Sequence, residues 1–421
     1  MGQSLKAGQS PNLLEDCLFF EELDLGTNQL SGSIPASLGL PSVQELNLLG
    51  NKLSGNIPKA LGRLFNLKNL YLSGNYLTGN ISEAHFENLR GLRVLHSDDN
   101  PLVLDLQPDW IPPFQLHLLN LGSVRVGPQF PFWLRTQKMI DALDISNASV
   151  SGFILDWFWD MRARATLTFL SLSRNILSGR LPNTLEVESV TYLDLSRNLF
   201  TGSIPRISAP SLYVLDLSNN QFSGPMPANF SYPRLFFSSS GNRINGSIPT
   251  SICKASAAFF LDLSNNSLSG TIPATIGNCT YIVAVDLSGN YLSGSIPVQM
   301  GLLAHLNTVH LNRNGLSGEL PLSLRNCSSL VTVDLGDNRF SGKIPSWIGK
   351  SFTGLRILRL RANRFTGGIP PGLFRLTALQ VFDVAGNFLS GPIPLTSEDL
   401  KAIKNKTRGD LTYIPRVQLC V

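Results

Sequence analysis

One pattern, Leu-x-x-Leu-x-Leu-x-x-Asn-x-Leu-x-Gly-x-Ile-Pro, recurs along almost the whole 421-residue chain. It reads clearly at 285–297 (VDLSGNYLSGSIP) and at 333–345 (VDLGDNRFSGKIP). Its Asn falls at 28, 51, 75, 100, 175, 198, 220, 242, 266, 290, 314, 338, 363 and 387, and two further units keep the frame with Val124 and Ala148 in that place. Sixteen units result, spaced 22 to 27 residues apart and mostly 24. A fixed period of this size means that each unit buries its apolar face only against its neighbours, so the chain stacks into a solenoid. That overrides the roughly three domains that length alone would suggest.

Within a unit the apolar residues alternate with polar ones, which is strand periodicity. At 285–287, Val285 and Leu287 point inward and Asp286 points out. One short strand per unit predicts a long parallel sheet. The repeated Asn is placed to satisfy backbone groups of the following turn, forming a ladder along the chain. The Gly permits a tight turn, and the Pro fixes φ where the chain leaves the strand. The stretch after Ile-Pro, such as 346–355, has room for one 3-10 or α turn. The expected fold is an α/β solenoid: a right-handed superhelix with a concave parallel β-sheet and short 3-10 or α turns on the convex side. Sixteen strands at about 4.8 Å give an inner surface on the order of 75 Å long, suited to extended or large partners.

Composition is that of an ordinary globular chain, 43% hydrophobic and 15% charged. This argues against disorder and against nucleic acid as a partner. The net charge of +5 hints only at acidic partners. No run of about 18 apolar residues exists, so no membrane span is expected. The first residues, MGQSLKAGQSPN, lack the apolar core of a secretory signal, and Lys6 stands where a myristoylation motif wants Ser or Thr.

The frame sorts the outward-facing positions into columns. The column between the two inner apolar residues is mostly acidic and runs from Asp24 to Asp383. The column just before the first inner apolar residue reads, from the fourth unit, Val94, Leu118, Ala142, Phe169, Tyr192, Val214, Phe236 and Phe260, with Tyr213 and Phe259 one position earlier. An apolar, aromatic strip on a face that should be wet is a candidate ligand-binding surface, since contiguous exposed apolar patches mark interaction sites. The competing reading is mutual support of β-forming residues across strands. A second candidate is the cluster Arg356, Arg359, Arg361 and Arg364, able to hold carboxylates or an acidic partner face. Charge balancing against Asp286, Asp334, Asp337 and Asp383 competes with it.

Five cysteines are present. Cys17, Cys279 and Cys327 each precede a ladder Asn by eleven residues and so occupy one slot in different units. Cys279 and Cys327 lie two units apart, about 10 Å at sheet spacing, beyond the roughly 7 Å reach of a disulfide. All three read as small core residues, and Cys253 and Cys420 have no evident partners. No catalytic or metal-binding motif is present, the five histidines do not form a ligand set, and no cofactor is expected. Asn-x-Ser/Thr sequons stand at Asn80, Asn147, Asn229, Asn245, Asn265, Asn278, Asn326 and Asn405, each open to glycosylation in a secreted chain.

The Leu-x-Gly-x-Ile-Pro extension resembles the plant-specific class of leucine-rich repeats. The irregular stretch narrows the resemblance: EAHFENLRGL (83–92), DLQPDWIPPFQLHLLNL (105–121), GPQFPFWLRTQ (127–137), LDISNASVSG (143–152) and DWFWDM (156–161) occur in order. Together they resemble plant cell-surface receptor-like proteins of the fungal-xylanase-receptor class, which lack a kinase. That resemblance implies an extracellular ectodomain at the plasma membrane, used in immune or developmental signalling. It implies a protein, peptide or glycan ligand, and partner receptor kinases with repeat ectodomains. Two alternatives are a secreted inhibitor of microbial wall-degrading enzymes, suggested by the acidic column, and the ectodomain of a repeat receptor kinase. Along the chain the expected organisation is a partial repeat without an N-terminal cap at 1–20, the solenoid at 21–394 with its irregular part at 83–165, and a non-repeat tail at 395–421 similar to the start of an island segment. Such a chain reads as a fragment of something longer, without the cap, signal peptide, final repeats and membrane helix that the resemblance implies. The four tryptophans at 110, 133, 157 and 159 are expected to fill the irregular turns.

Overall fold

A computed structural model describes residues 20–36, 41–160, 166–228, 235–253 and 258–394. Cys17, Asn229, Asn405, Cys420 and the tail at 395–421 lie outside the described residues. The chain divides into two compact units, 1–222 and 223–421.

In the first unit the inner-column strands are Glu22–Asp24, Glu45–Asn47, Asn69–Tyr71, Val94–His96, Leu118–Asn120, Ala142–Asp144, Phe169–Ser171, Tyr192–Asp194 and Val214–Asp216. Each pairs in parallel with the next in chain order, residue against equivalent residue, as in Leu170 against Leu193. The second unit repeats this with Leu235–Ser238, Ala258–Asp262, Ala284–Asp286, Thr308–His310, Thr332–Asp334, Ile357–Arg359 and Val381–Asp383. The central residue of each strand is apolar and points into the core: Leu46, Leu143 and Leu193 in the first unit, Leu261, Val285 and Leu358 in the second, all essentially buried. Each unit is therefore a solenoid of stacked parallel strands.

The chain also forms a second strand in most repeats, which the expectation of one strand per repeat did not include. In the second unit these strands run from Arg243–Ser247 to Phe388–Leu389 and again pair in parallel. They hold the Leu-x-Gly part of the motif. All of these but Phe388–Leu389 carry a glycine in the left-handed region, such as Gly270 at φ 78° and Gly342 at φ 77°, a conformation that side chains disfavour. The glycine bends the strand while its neighbours keep the ladder. A second left-handed residue stands just before the ladder position in every one of the sixteen repeats, from Thr27 to Gly386. Several are not glycine, including Arg174, Arg197, Asn265 and Arg313. The stacked turn imposes the conformation against the residue's own preference.

The ladder itself is complete wherever the Asn is present among the described repeats. Asn75 is buried, and its Nδ2 donates to Leu48 O at 2.9 Å, Leu72 O at 3.0 Å and Ser73 O at 3.3 Å. Its Oδ1 accepts from Leu53 N at 3.0 Å. Apart from Asn28 and Asn242, each of these side chains bonds both its own turn and the backbone of the preceding repeat, as do Asn51, Asn198 and Asn387. At the two lapses, Val124 and Ala148 are fully buried apolar residues. There the backbone closes the gap: Arg125 N donates to Leu102 O, and Val126 N donates to Ala148 O, both at 2.9 Å.

After Ile-Pro the chain makes single turns on the other side of the repeat. They include the 3-10 turns Lys59–Arg63, Ala274–Asn278, Val298–Leu302 and Leu322–Asn326, and the α turn Ile348–Ser351. Proline caps the 3-10 turns with its carbonyl, as in Met300 N to Pro297 O at 3.0 Å. Successive turns pack so closely that a Cβ on Gly301 would collide with the backbone of Ser323. Gly301→Ala should therefore destabilise the protein by about 1–3 kcal/mol through overpacking. Gly354→Ala, with open space at its Cβ, should be close to neutral. Urea midpoints of the two variants check this.

The tryptophans occupy the irregular turns as expected. Trp110 lies 6.2 Å from Trp133 and 5.9 Å from Phe86, ring centre to ring centre. Trp157 packs on Phe130 and Phe132, the latter at 5.8 Å. Edge-to-face pairs of this kind fill space where the repeat is broken.

One cysteine expectation is overturned. Cys253 and Cys279 form a disulfide, with a Cα–Cα distance of 5.1 Å. Cys253 ends the turn Thr250–Cys253, and Cys279 follows Ala274–Asn278 in the next repeat. The two do not share a slot, so matching cysteines slot by slot passes over them. Stacking brings residues one repeat apart, with a small offset, within bonding range. Cys327 does remain a buried free thiol, donating to Met300 O at 3.2 Å. Burial pushes its pKa up to about 11.

Candidate ligand-binding face

The aromatic column lies on neighbouring strands in exact register order. In the first unit Phe169 pairs with Tyr192, and Tyr192 with Val214. The Phe169 and Tyr192 rings stack 4.5 Å apart at 10°. Both are half-buried, and Tyr213 beside them is 55% exposed. In the second unit Phe236 pairs with Phe260, and their rings stack 4.3 Å apart at 5°. Phe259 stands exposed beside them.

The second unit also exposes apolar residues absent from the sequence-level candidates. Tyr281 and Val283 are exposed, and Tyr281 stacks on His305 at 6.2 Å and 5°. Val283 continues the column of Phe259, one position ahead of the strand, and Tyr281 lies two positions earlier, outside the columns of the candidate strip. Their signal was the aromatic and β-branched character of 281–283 at a place where the repeat needs no apolar side chain.

The flanking electrostatics are acidic but largely committed. Burial raises the Tyr192 pKa above its ordinary value, and Asp194, Asp216 and Asp144 add to the shift, so the phenol stays neutral. Burial also raises the carboxyl pKa of Asp144 and Asp286. The acidic column has a structural task. Asp144 accepts from Ser146 N at 2.7 Å, Asp194 from Ser196 N at 2.9 Å and Asp216 from Ser218 N at 2.8 Å. Asp262, Asp286, Asp334 and Asp383 repeat the bond in the second unit. Each carboxylate closes the turn that follows its own strand, as short acidic side chains do. This use accounts for the column without an acidic-face partner, which was the sequence feature behind the inhibitor alternative.

The arginine cluster is drawn into the same network. Arg359 Nη1 lies 3.5 Å from Asp334 Oδ2, and Arg361 Nη1 lies 3.7 Å from Asp383 Oδ2. Arg356 is exposed with no ion pair among the described residues. Among those residues there is also no group of three potential metal ligands, and no helix is long and apolar enough to cross a membrane.

The sequons within the described residues, at Asn80, Asn147, Asn245, Asn265, Asn278 and Asn326, all have exposed asparagines. Most ladder asparagines are buried and bonded to the backbone, as Asn75 is, so they are physically distinct from the sequon asparagines.

Stacked parallel strands, an Asn ladder and proline-capped outer turns define a leucine-rich-repeat protein. The leucine-rich-repeat family model matches at 42–64, 66–89, 189–209, 211–232, 259–279, 329–351 and 354–376. The chain is similar to plant receptor-like proteins. It is 44% identical to receptor-like protein EIX2 of Solanum lycopersicum over 101 residues, 24% of this chain and 10% of that protein. The chain therefore spans only a small part of this curated relative. Among solved structures it is similar to the crystal structure of a TDR receptor (TM-score 0.70, 28% identity, 89% of this chain and 61% of that one). It is also similar to the plant peptide hormone receptor RGFR1 in complex with RGF2 (TM-score 0.58, 27% identity, 91% and 73%).

Proposed function

We propose that the chain is the ligand-recognition part of a plant cell-surface receptor-like protein. It binds an extracellular peptide, protein or glycan on the strand face and acts through partner receptor kinases in immune or developmental signalling. An extended peptide is the ligand class favoured. The observation that carries this is the pair of stacked rings, Phe169 on Tyr192, with Tyr213 exposed at their side. A solvated strand face needs no aromatic column, and rigid rings offer contact area at small entropic cost. The similarity to RGFR1, crystallised with the peptide RGF2, supports the class of ligand. In the second unit Phe236, Phe259 and Phe260 serve the same role, and Arg356, Arg359 and Arg361 meet an acidic group of the ligand. Arg361 would exchange its partly exposed Asp383 partner at small cost, whereas Arg359 would also have to leave the buried Asp334 carboxylate, which keeps its bond from Gly336 N.

The test is selection of a displayed random-peptide library against the secreted chain, followed by binding measurements on variants. Phe169→Ser with Tyr192→Ser should weaken selected peptides at least about ten-fold, the effect of losing a central aromatic anchor. Unchanged affinity in a folded variant would make the strip scaffold only.

A further inference from the structure

We infer that Asn278 and Asn326 are glycosylated, and that their glycans straddle Leu302 and cover an apolar patch on the outer turns of the second unit. The inference rests on the extracellular reading above.

Asn278, Leu302 and Asn326 are each 24 residues from the next. They are the last residues of three consecutive 3-10 turns, Ala274–Asn278, Val298–Leu302 and Leu322–Asn326. These turns are in direct contact. Ser323 Oγ donates to Val298 O at 2.7 Å, and a Cβ on Gly277 would meet Gln299 O at 2.5 Å. Leu302 therefore sits between the two asparagines in a single column.

The middle turn and its neighbour leave aliphatic side chains in water. Val298 is 59% exposed, Leu302 61% and Leu322 58%. No structural need of the repeat explains them, because the inward residues of these turns, Met300 and Leu324, already fill the core. An exposed apolar cluster of this kind has to be covered or it favours self-association. Both flanking asparagines are exposed and begin sequons, Asn278-Cys279-Thr280 and Asn326-Cys327-Ser328, whose hydroxyl residues are exposed as well. A glycan is bulky and solubilising, and its sugar rings have C–H faces that lie well on aliphatic side chains. The column places one on each side of Leu302.

The test uses the full chain secreted from plant cells. Glycopeptide mass spectrometry should find Asn278 and Asn326 occupied. Enzymatic removal of glycans from the folded protein, and separately Asn278→Gln with Asn326→Gln, should raise apolar-dye fluorescence severalfold and shift sedimentation from monomer to larger species. Adding Leu302→Ser and Leu322→Ser should reverse both changes. If Asn80 and Asn245 carry glycans while Asn278 and Asn326 are bare, this inference fails and the extracellular reading stands. If no sequon is occupied, both fail. If the two sites are occupied but deglycosylation changes neither dye binding nor sedimentation, the cover is refuted.

Discussion

Asn290→Ala should lower the unfolding free energy by on the order of 2–4 kcal/mol. Asn290 is buried. Its Nδ2 donates to Leu263 O at 3.0 Å, Leu287 O at 3.2 Å and Ser288 O at 3.2 Å, and its Oδ1 accepts from Leu268 N at 2.9 Å. Truncation strands these backbone groups away from water, and each buried group without a partner costs about 1–3 kcal/mol before neighbouring bonds compensate. Two of the bonds reach into the preceding repeat, so the loss falls on the coupling between repeats as well as on one turn. Stability of a stacked array is a sum of such couplings. Urea unfolding should show a lower midpoint. Asn28→Ala is the control. Among the described residues its exposed side chain bonds only Leu25 O and Gly26 O of its own turn, so the change should stay within about 0.5 kcal/mol.

Removing the disulfide by Cys253→Ala with Cys279→Ala should cost about 3.5 kcal/mol. The bridge spans 26 residues, and closing a loop of that length in the unfolded chain removes about that much conformational free energy. Cys327→Ala should cost far less, since it deletes one sulfur and a weak bond to Met300 O without touching any crosslink. Comparison of the two under oxidising conditions separates a staple from a packed thiol. Equal losses would mean that Cys253 and Cys279 act only as core residues.

These two predictions mark where the sequence was legible and where it was not. The ladder could be read because its physics is local and repeated: one residue type, one offset, one turn. The disulfide could not, because it depends on how far adjacent turns slide past each other, and residue spacing modulo the repeat hides an offset of two. The second strand was missed for a related reason. Leu-x-Gly reads as a turn because glycine there adopts positive φ, as at Gly294, yet the neighbours of that glycine still pair with the next repeat. The acidic column was seen, but its bonds to Ser146 N, Ser196 N and their equivalents require knowing that the chain turns back immediately after each strand. Among candidate ligand residues, Phe169 falls beside Tyr192 in the first unit and Phe236 beside Phe260 in the second, because strand register aligns equal positions. Tyr281 and His305 fall outside the strand, where only stacking of the preceding segments brings them into line.

The claim that the strand face is the recognition surface has one direct test. A photo-crosslinking amino acid is placed at Tyr213 in one version of the secreted protein and at Tyr76 in another. Both side chains are well exposed, the first beside the aromatic column and the second on the Leu-x-Gly strand Tyr76–Ile81. A peptide selected from the library should crosslink at position 213 and not at position 76. Crosslinking at position 76 alone would place the binding surface elsewhere and contradict the account.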